Sequence, residues 1–257
     1  MQVLFRGHGS PMNAIEENEF VAGFRNVGKT IPKPKAILCV SAHWETNGTK
    51  VTAMENPKTI HDFGGFPKEL YEVQYPALGS PFLANEIKNK DTKNKINIDK
   101  KWGLDHGAWS VIKHLYPAAD VPVIQLSLDY SKPPKYHYEL AKELSWLRKK
   151  GVLIIGSGNM VHNLKLVAWD KINVDNYSYG WATETSDKMK GFILENNFNS
   201  LINYKLLGKA FELAIPTPEH FLPLLYTIAL KSKNEKMTFF NDKAMAGSLT
   251  MTSLKIG

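Results

Sequence analysis

The residues of this chain with the clearest capacity for chemistry are its histidines. Neutral imidazoles bind Fe(II), Zn(II) and Cu(II), whereas the single cysteine, Cys39, excludes a zinc site built from thiolates. The histidines are far apart in the sequence, so a metal could be held only by residues that the fold brings together. Two interpretations stay open: a metal centre, or loop histidines bonded to backbone carbonyls. The eight positions are His8, His43, His61, His106, His114, His137, His162 and His220.

Three of these histidines follow segments that the sequence predicts as strands. His8 follows QVLFR and lies between two glycines in GHGSP. His43 follows AILCVSA, and His162 follows GVLIIGSG. In open α/β sheets, ligands bind beyond the carboxyl ends of the strands. We therefore expect these three side chains to meet at one edge of a sheet, with the two glycines bending the backbone so that His8 points into the site.

The other histidines receive different interpretations. His106 precedes a predicted helix, and His220 lies in the first turn of another. His114 and His137 fall inside predicted helices, where we expect them to be structural. His61 stands in TIHDFGGFP, a loop rich in Gly and Phe that either lines an aromatic pocket or is simply packed.

Short apolar runs alternate with amphipathic segments along the chain. The continuous runs VLII and VIQL predict strands covered on both faces, and their alternation with helices predicts a mostly parallel sheet between helical layers. We expect a single three-layer α/β/α domain over residues 1–257, with a mixed sheet in which the two terminal strands can pair antiparallel. Predicted strands cover 2–6, 36–42, 49–55, 121–128, 151–158, 236–240 and 248–254. Predicted helices cover 14–27, 81–87, 107–115, 134–149, 181–197 and 218–230.

Composition and missing motifs argue against several classes of protein. There are 32 Lys and Arg residues against 25 Asp and Glu, which gives a net charge of +7. The lysines are spread over stretches such as 88–101, 142–150 and 231–236, which we interpret as solvated loops and helix faces, so no nucleic-acid partner is expected. GSGNMV departs from the dinucleotide fingerprint GxGxxG at Val161, and P-loop, GxSxG and HExxH motifs are absent.

The sequence also predicts a cytoplasmic protein without a membrane partner. It contains no apolar run long enough to span a bilayer, and its N-terminus lacks the basic and apolar regions of a signal peptide. Cys39 lies in the apolar run AILCVSA, where we expect a small buried thiol, which suits a reducing compartment.

Several motifs, taken together and in their order, resemble one enzyme family. They are GHGSPMNA, VSAHWE, TIHDFGGFPKELYEVQYPALGSP, LDHGAWSVIKHLYPAADVPVIQLSLD, GVLIIGSGNMVHNL and TPEHFLPLLY. The combination is similar to the class III extradiol ring-cleavage dioxygenases, in particular their 4,5-DOPA dioxygenase branch. The resemblance extends from residue 4 to about residue 230, and it is specific as a set although each motif alone is weak.

The resemblance implies one divalent metal, either Fe(II) for ring cleavage or Zn(II) as a bound or replacement ion. The implied substrates are O2 and a DOPA-like catechol, whose ring opens beside its two hydroxyls. Carried over to this sequence, His8 and His43 resemble metal ligands, and the third ligand comes from TPEH. Distant relatives use a glutamate there, which makes Glu219 a rival of His220. Adjacent residues of a helix point about 100° apart, so one of the two faces the metal, and we expect His220.

The resemblance also implies roles around the metal. His162 resembles the acid and base of the wider family, and in the DOPA branch the equivalent residue also approaches or binds the metal, so both roles stay open. His106 resembles a second catalytic histidine that hydrogen-bonds substrate or oxygen. His61 and Phe63 are expected to bind substrate, because FGGFP resembles part of an aromatic pocket wall.

Two other functions compete with ring cleavage. A zinc-dependent hydrolase on the same scaffold would use metal-bound water as its nucleophile, and oxygen consumption with a catechol separates the two. A basic domain that binds nucleic acid or a partner protein would leave the histidine pattern unexplained. The sequence makes no prediction of oligomeric state.

Overall fold

The computed structural model describes residues 1–93 and 95–257 and contains strands and helices in alternation. The strands are β1 Val3–Gly7, β2 Ala36–Thr46, β3 Thr49–Thr52, β4 Ile96–Asp99, β5 Val123–Asp129, β6 Val152–Gly158, β7 Met237–Phe240, β8 Ala244–Met245, β9 Leu249–Thr250 and β10 Ser253–Ile256. The helices are α1 Glu19–Lys29, α2 Lys68–Tyr71, α3 Pro81–Lys90, α4 His106–Leu115, α5 Pro134–Glu143, α6 Trp146–Lys149, α7 Gly180–Leu194, α8 Phe198–Ile202, α9 Lys209–Ala214 and α10 Leu222–Ala229.

The central sheet is mixed and mostly parallel, as predicted. Its strand order is β4-β3-β5-β2-β6-β1-β10-β7. The four central strands β5, β2, β6 and β1 are parallel. At one side β10 runs antiparallel to β1 and to β7, which confirms the expected antiparallel pairing near the end of the chain. At the other side β3 is antiparallel to β5 and parallel to β4.

Alternate side chains of the central strands enter two hydrophobic cores, one on each face of the sheet. Val3 and Phe5 of β1 face a core shared with α3, α5 and α10. Leu4 of β1 and Cys39 of β2 face a second core shared with α4. All four side chains are fully buried, and such burial contributes about 1.5–3 kcal/mol for a large apolar residue. This arrangement confirms the three-layer α/β/α architecture and the buried position of Cys39.

The polar run at 88–101, expected to be a solvated loop, contains strand β4. Ile96 is buried and Ile98 packs against the core, while the intervening Asn97 is exposed. β4 is hydrogen-bonded to β3 in parallel register, with Ile96 opposite Thr49. Pairing and the burial of alternate isoleucines therefore outweigh the low strand propensity of the surrounding lysines and asparagines.

The helix predicted over 218–230 begins later, at Leu222. Pro223 occupies the first turn of α10, where its missing N–H costs nothing. His220 instead lies in the preceding turn, where its carbonyl accepts the backbone N–H of Asn159 at 2.8 Å. The expected placement of His220 in a helix is therefore wrong, and the helical argument that separates it from Glu219 does not apply.

Other predicted boundaries also shift. The helix predicted over 14–27 is a 3-10 turn at Pro11–Ala14 followed by α1, which Asn18 caps by accepting the N–H of Val21 at 3.0 Å. The helix predicted over 134–149 is divided into α5 and α6. Within the described ranges, every helix is too short or too polar to cross a lipid bilayer.

Arg6 places a charged side chain inside the core. It lies on β1, is fully buried, and has no hydrogen-bond partner for its guanidinium nitrogens among the described residues. The guanidinium carbon lies 3.7 Å from the ring centroid of Phe24, a cation–π contact that offsets part of the lost hydration. Burial lowers the pKa of Arg6, as expected for a cation that leaves water without a counter-ion. We therefore expect Arg6 to destabilise the fold.

We expect Arg6→Met to raise the free energy of unfolding by about 1–4 kcal/mol, because it removes an unpaired buried charge and retains a long apolar chain. Equilibrium unfolding in urea measures this change. Arg25→Met is the matched control, since Arg25 forms an exposed ion pair with Glu17 and its loss should change stability by less than about 1 kcal/mol. A less stable Arg6→Met protein would contradict the prediction.

Candidate metal centre and active site

Three histidines converge at the carboxyl edge of the sheet. Each of His8, His43 and His220 offers a ring nitrogen, and these atoms lie within 4.8 Å of one another. Nε2 of His8 is 3.2 Å from Nε2 of His43, a separation compatible with two nitrogens that each lie about 2.0–2.1 Å from one ion. The ring of His220 is centred 5.3 Å from that of His8 and 5.1 Å from that of His43. We name His8, His43 and His220 the histidine triad.

The two strand histidines of the triad reach the site differently. His8 directly follows β1, as predicted. His43 was expected to follow its strand but lies inside β2, which continues to Thr46. The register of β2 against β5 shifts between Val40 and Glu45, and such a bulge re-aims the side chains beside it.

Glycines flank His8 for two separate steric reasons. Gly9 has φ +62°, a left-handed conformation that strains other residues. A Cβ on Gly7 would lie 2.6 Å from the backbone carbonyl group of Met251, so this position tolerates only glycine. The structure thus gives a physical reason for the GHG sequence, although the contact with Met251 was not visible in the sequence.

Hydrogen bonds set the orientation of two triad rings. Ser157 donates its hydroxyl to the carbonyl of Gly107 at 2.6 Å, so it accepts the Nδ1–H of His8 at 3.1 Å. Glu219 accepts the Nδ1–H of His220 at 3.0 Å. These assignments leave a lone pair on Nε2 of both histidines, the arrangement that metal-ligating imidazoles commonly have.

Burial and neighbouring imidazoles keep two rings of the triad, His8 and His43, neutral. Burial lowers the pKa of His8 well below its usual range, and the neighbouring His43 and His220 lower it further. Burial and the neighbouring His106 and His220 also lower the pKa of His43, against a weaker opposing effect of Asp62. Neutral rings have free lone pairs, so the donor set fits a divalent cation.

His162 lies against the triad. Its ring stacks on that of His220, with centroids 3.5 Å apart and planes 9° from parallel. Ligand atoms of His162, Glu219 and His220 form a second group within 4.8 Å. Burial, reinforced by the neighbouring His220, lowers the pKa of His162 to about 3. His162 is therefore neutral at neutral pH and can accept a proton.

Glu219, the rival third ligand, is bonded to His220. Burial raises the pKa of Glu219, but hydrogen bonds from His220, from its own backbone and from Thr217 lower it to about 2. The ionised carboxylate is thus engaged with Nδ1–H of His220 and with the hydroxyl of Thr217, which donates at 2.9 Å.

His106 stands at the first residue of α4. Asp105 caps this helix by accepting the N–H of Ala108 at 3.0 Å. The ring of His106 lies 3.9 Å from that of His43, centroid to centroid. Its Nδ1–H and its backbone N–H both donate to Asp62, at 3.0 and 2.8 Å. Sequence reasoning did not identify Asp62, although its place beside His61 in a Gly- and Phe-rich loop was a signal.

Aromatic side chains of the same loop border His106. The ring of Phe63 is centred 5.5 Å from that of His106 and 5.3 Å from that of Phe66. His61 contacts Phe63 and Trp109, at 5.7 and 5.5 Å between centroids, and donates its Nε2–H to the carbonyl of Val73 at 3.0 Å. Phe63 therefore adjoins the histidines directly, and His61 is linked to them through Phe63.

The two remaining histidines serve other contacts. His114 is buried and donates Nε2–H to the carbonyl of Asn13 at 2.7 Å. His137 is buried with Nδ1 3.1 Å from the hydroxyl of Tyr226. Both positions agree with the structural role predicted for these residues.

A cluster of imidazoles at the carboxyl edge of a mostly parallel α/β/α sheet defines a protein suited to holding one divalent metal. Residues 3–242 match the family described as the catalytic LigB subunit of aromatic ring-opening dioxygenase. The chain belongs to this family and is an aromatic ring-opening dioxygenase.

Three relatives of the chain carry the same name. The chain is 45% identical to "4,5-DOPA dioxygenase extradiol" of Escherichia coli K12, over 100% of this chain and 95% of the relative. Proteins of the same name from Mirabilis jalapa and Beta vulgaris are 37% and 35% identical, over 89% and 99% of this chain and 86% and 96% of the relatives. A crystal structure of an uncharacterized protein from Escherichia coli K12 matches with a TM-score of 0.85 and 41% identity over 100% of both chains.

Proposed function

We propose that this enzyme opens a catechol such as DOPA beside its two hydroxyls and inserts both atoms of O2. The observation that carries the proposal is the triad, whose ligand atoms lie within 4.8 Å of one another. Three protein ligands leave positions on one ion for both catechol oxygens and for O2. The names of the relatives from Escherichia coli, Mirabilis jalapa and Beta vulgaris support DOPA as the substrate.

The proposed ligands are His8, His43 and His220, and the proposed ion for ring cleavage is Fe(II). When bound, Fe(II) supplies redox chemistry that lets electron density pass from the catechol to O2. Zn(II) also suits three histidines, but it is not redox-active, so it fits the role of a replacement ion. The proposed catalytic domain spans residues 1–257, because β1 and β10, from opposite ends of the chain, share one sheet.

His162 is proposed as the group that accepts and returns the substrate proton. A catechol hydroxyl that loses its proton needs a neutral base at its side, and the low pKa of His162 keeps the ring unprotonated before substrate arrives. The negative charge of a bound catecholate raises the affinity of His162 for that proton.

His106 and the aromatic loop are proposed to position the substrate. Because Nδ1–H of His106 donates to Asp62, its Nε2 is left to accept a hydrogen bond from a substrate hydroxyl. Phe63 offers an apolar face next to His106 for the catechol ring, and His61 supports Phe63.

The test compares enzyme loaded anaerobically with Fe(II) or with Zn(II) and then given L-DOPA and O2. Oxygen uptake with a yellow ring-opened product is expected with Fe(II) alone. Hydroquinone, whose hydroxyls are not adjacent, is the matched control and should give no uptake. The three-histidine set is also found in zinc enzymes that activate water, so absence of uptake with Fe(II) across several catechols would favour a zinc hydrolase.

A further inference from the structure

One carboxylate contacts two histidines that have different proposed roles. Oδ2 of Asp62 accepts Nδ1–H of His106 at 3.0 Å and lies 3.6 Å from Nδ1 of His43, while Oδ1 accepts the backbone N–H of His106 at 2.8 Å. By contrast, His8 is oriented by Ser157 and His220 by Glu219. Asp62 thus serves both a triad member and the neighbouring pocket histidine.

The carboxylate is partly buried and charged. The Asp62 side chain is 18% exposed and that of His43 is 20% exposed, so this is the more accessible side of the triad. Both oxygens of Asp62 accept N–H groups of His106, and Oδ2 also faces Nδ1 of His43. A negative charge here therefore attracts the protons of the facing ring nitrogens.

This attraction affects metal binding because it determines which ring nitrogen of His43 carries the proton. The bond to Ser157 leaves a lone pair on Nε2 of His8, and Nε2 of His43 is 3.2 Å away, so a proton on Nε2 of His43 would be hydrogen-bonded to His8. A proton on Nε2 of His43 would compete with a metal ion for the lone pair of that nitrogen. Asp62 favours the proton on Nδ1 instead, which frees Nε2 of His43 for coordination.

We propose that Asp62 is a positioning residue that couples metal binding at His43 to substrate binding at His106. The assignment of these two roles rests on the proposed function. Ligand atoms of Asp62, His43 and His106 also lie within 4.8 Å of one another, but the oxygens of Asp62 accept two N–H bonds from His106, which suits a positioning role. Its ionised carboxylate can accept both of these bonds, whereas an amide at the same position offers one oxygen and one N–H2 donor.

Asp62→Asn therefore removes the negative charge beside His43 and replaces one acceptor oxygen by an N–H2 donor, which no longer favours the Nδ1–H tautomer of His106. We expect the variant to bind Zn(II) about 10–100-fold more weakly than the native chain, as other losses of partners of metal-bound histidines do. Titration calorimetry with Zn(II) alone measures the affinity. Asp175→Asn is the matched control, since it removes one carboxylate charge from an exposed ion pair with Lys243 and should leave the affinity unchanged.

The tautomers of the histidines are a second measurement. A purely structural role of Asp62 would leave them unchanged. In ¹⁵N spectra of the native metal-free protein, His106 is expected as the Nδ1–H tautomer. In Asp62→Asn it should become a mixture of tautomers, while His220 keeps its Nδ1–H. Glu219→Gln should reverse this pattern, disturbing His220 and sparing His106.

Several results would overturn the proposal. They are an Nε2–H tautomer of His106 in the native protein, unchanged Zn(II) affinity in folded Asp62→Asn, or complete loss of binding, which would make Asp62 a ligand. The native spectrum remains decisive if the variant does not fold. Zn(II) binding and tautomers do not depend on turnover, so a failure of the proposed ring cleavage would be seen separately as absent oxygen uptake.

Discussion

Replacing His43 with alanine is expected to remove the metal and the activity together. Nε2 of His43 lies 3.2 Å from Nε2 of His8, and its loss leaves two triad imidazoles to hold an ion. Because losing a hydrogen-bond partner of a ligand already costs about 10–100-fold in affinity, losing the ligand itself should cost more than about 100-fold. Metal content after dialysis and oxygen uptake with L-DOPA measure the two effects.

The control for this variant is His114→Gln. His114 is buried and bonds to the carbonyl of Asn13, and glutamine retains an N–H donor. This variant should keep its metal and its turnover. Full metal occupancy in His43→Ala would show that His43 is not a ligand.

Replacing His162 with alanine is expected to keep most of the metal and lower kcat by about 10²–10⁴-fold, the usual effect of losing a general acid or base. The ring of His162 stacks on that of His220, and ligand atoms of His162, Glu219 and His220 lie within 4.8 Å of one another in a group that shares only His220 with the triad. This geometry suits a proton acceptor beside the site. Single-turnover measurements on Fe(II)-loaded protein separate the chemical step from substrate binding.

Two outcomes would contradict this role. A kcat close to that of the native enzyme would exclude His162 as the acid and base. Loss of metal from folded His162→Ala protein would assign it as a fourth ligand, the alternative that the sequence resemblance leaves open. Removing the His162 ring leaves a cavity beside His220. Thermal unfolding of the metal-free variant checks that the protein is still folded despite this cavity.

Features that depend on local pattern could be predicted from the sequence. Continuous apolar runs indicated the parallel strands, and strand ends placed His8 and His162 near one edge. Strand β4 could not be predicted in this way, because the burial of Ile96 depends on pairing with β3 and lies within a lysine-rich run. The strand propensity of the residues predicts little wherever tertiary contacts determine whether a strand forms.

The partners of the histidines were harder to predict than the histidines themselves. Asp62, Ser157 and Glu219 each accept a ring N–H, but Asp62 and Ser157 are distant in sequence from the rings that they contact. The sequence offers two prolines for the start of this helix, Pro218 and Pro223, and α10 begins beside the second, at Leu222. Nothing local indicated that Arg6 would be buried with no hydrogen-bond partner among the described residues, because strand alternation predicts which face a side chain is on but not what surrounds it.

The position of β10 has a consequence for how the protein is made. Val3 pairs with Ile256 and Phe5 with Leu254, so the strand that leads to His8 gains one of its two neighbours from the far end of the described chain. At roughly 5–20 residues per second, the ribosome synthesises these partners roughly 10–50 s apart. Contacts of such long sequence separation also slow folding. One edge of β1 therefore has no strand to pair with until β10 has been synthesised.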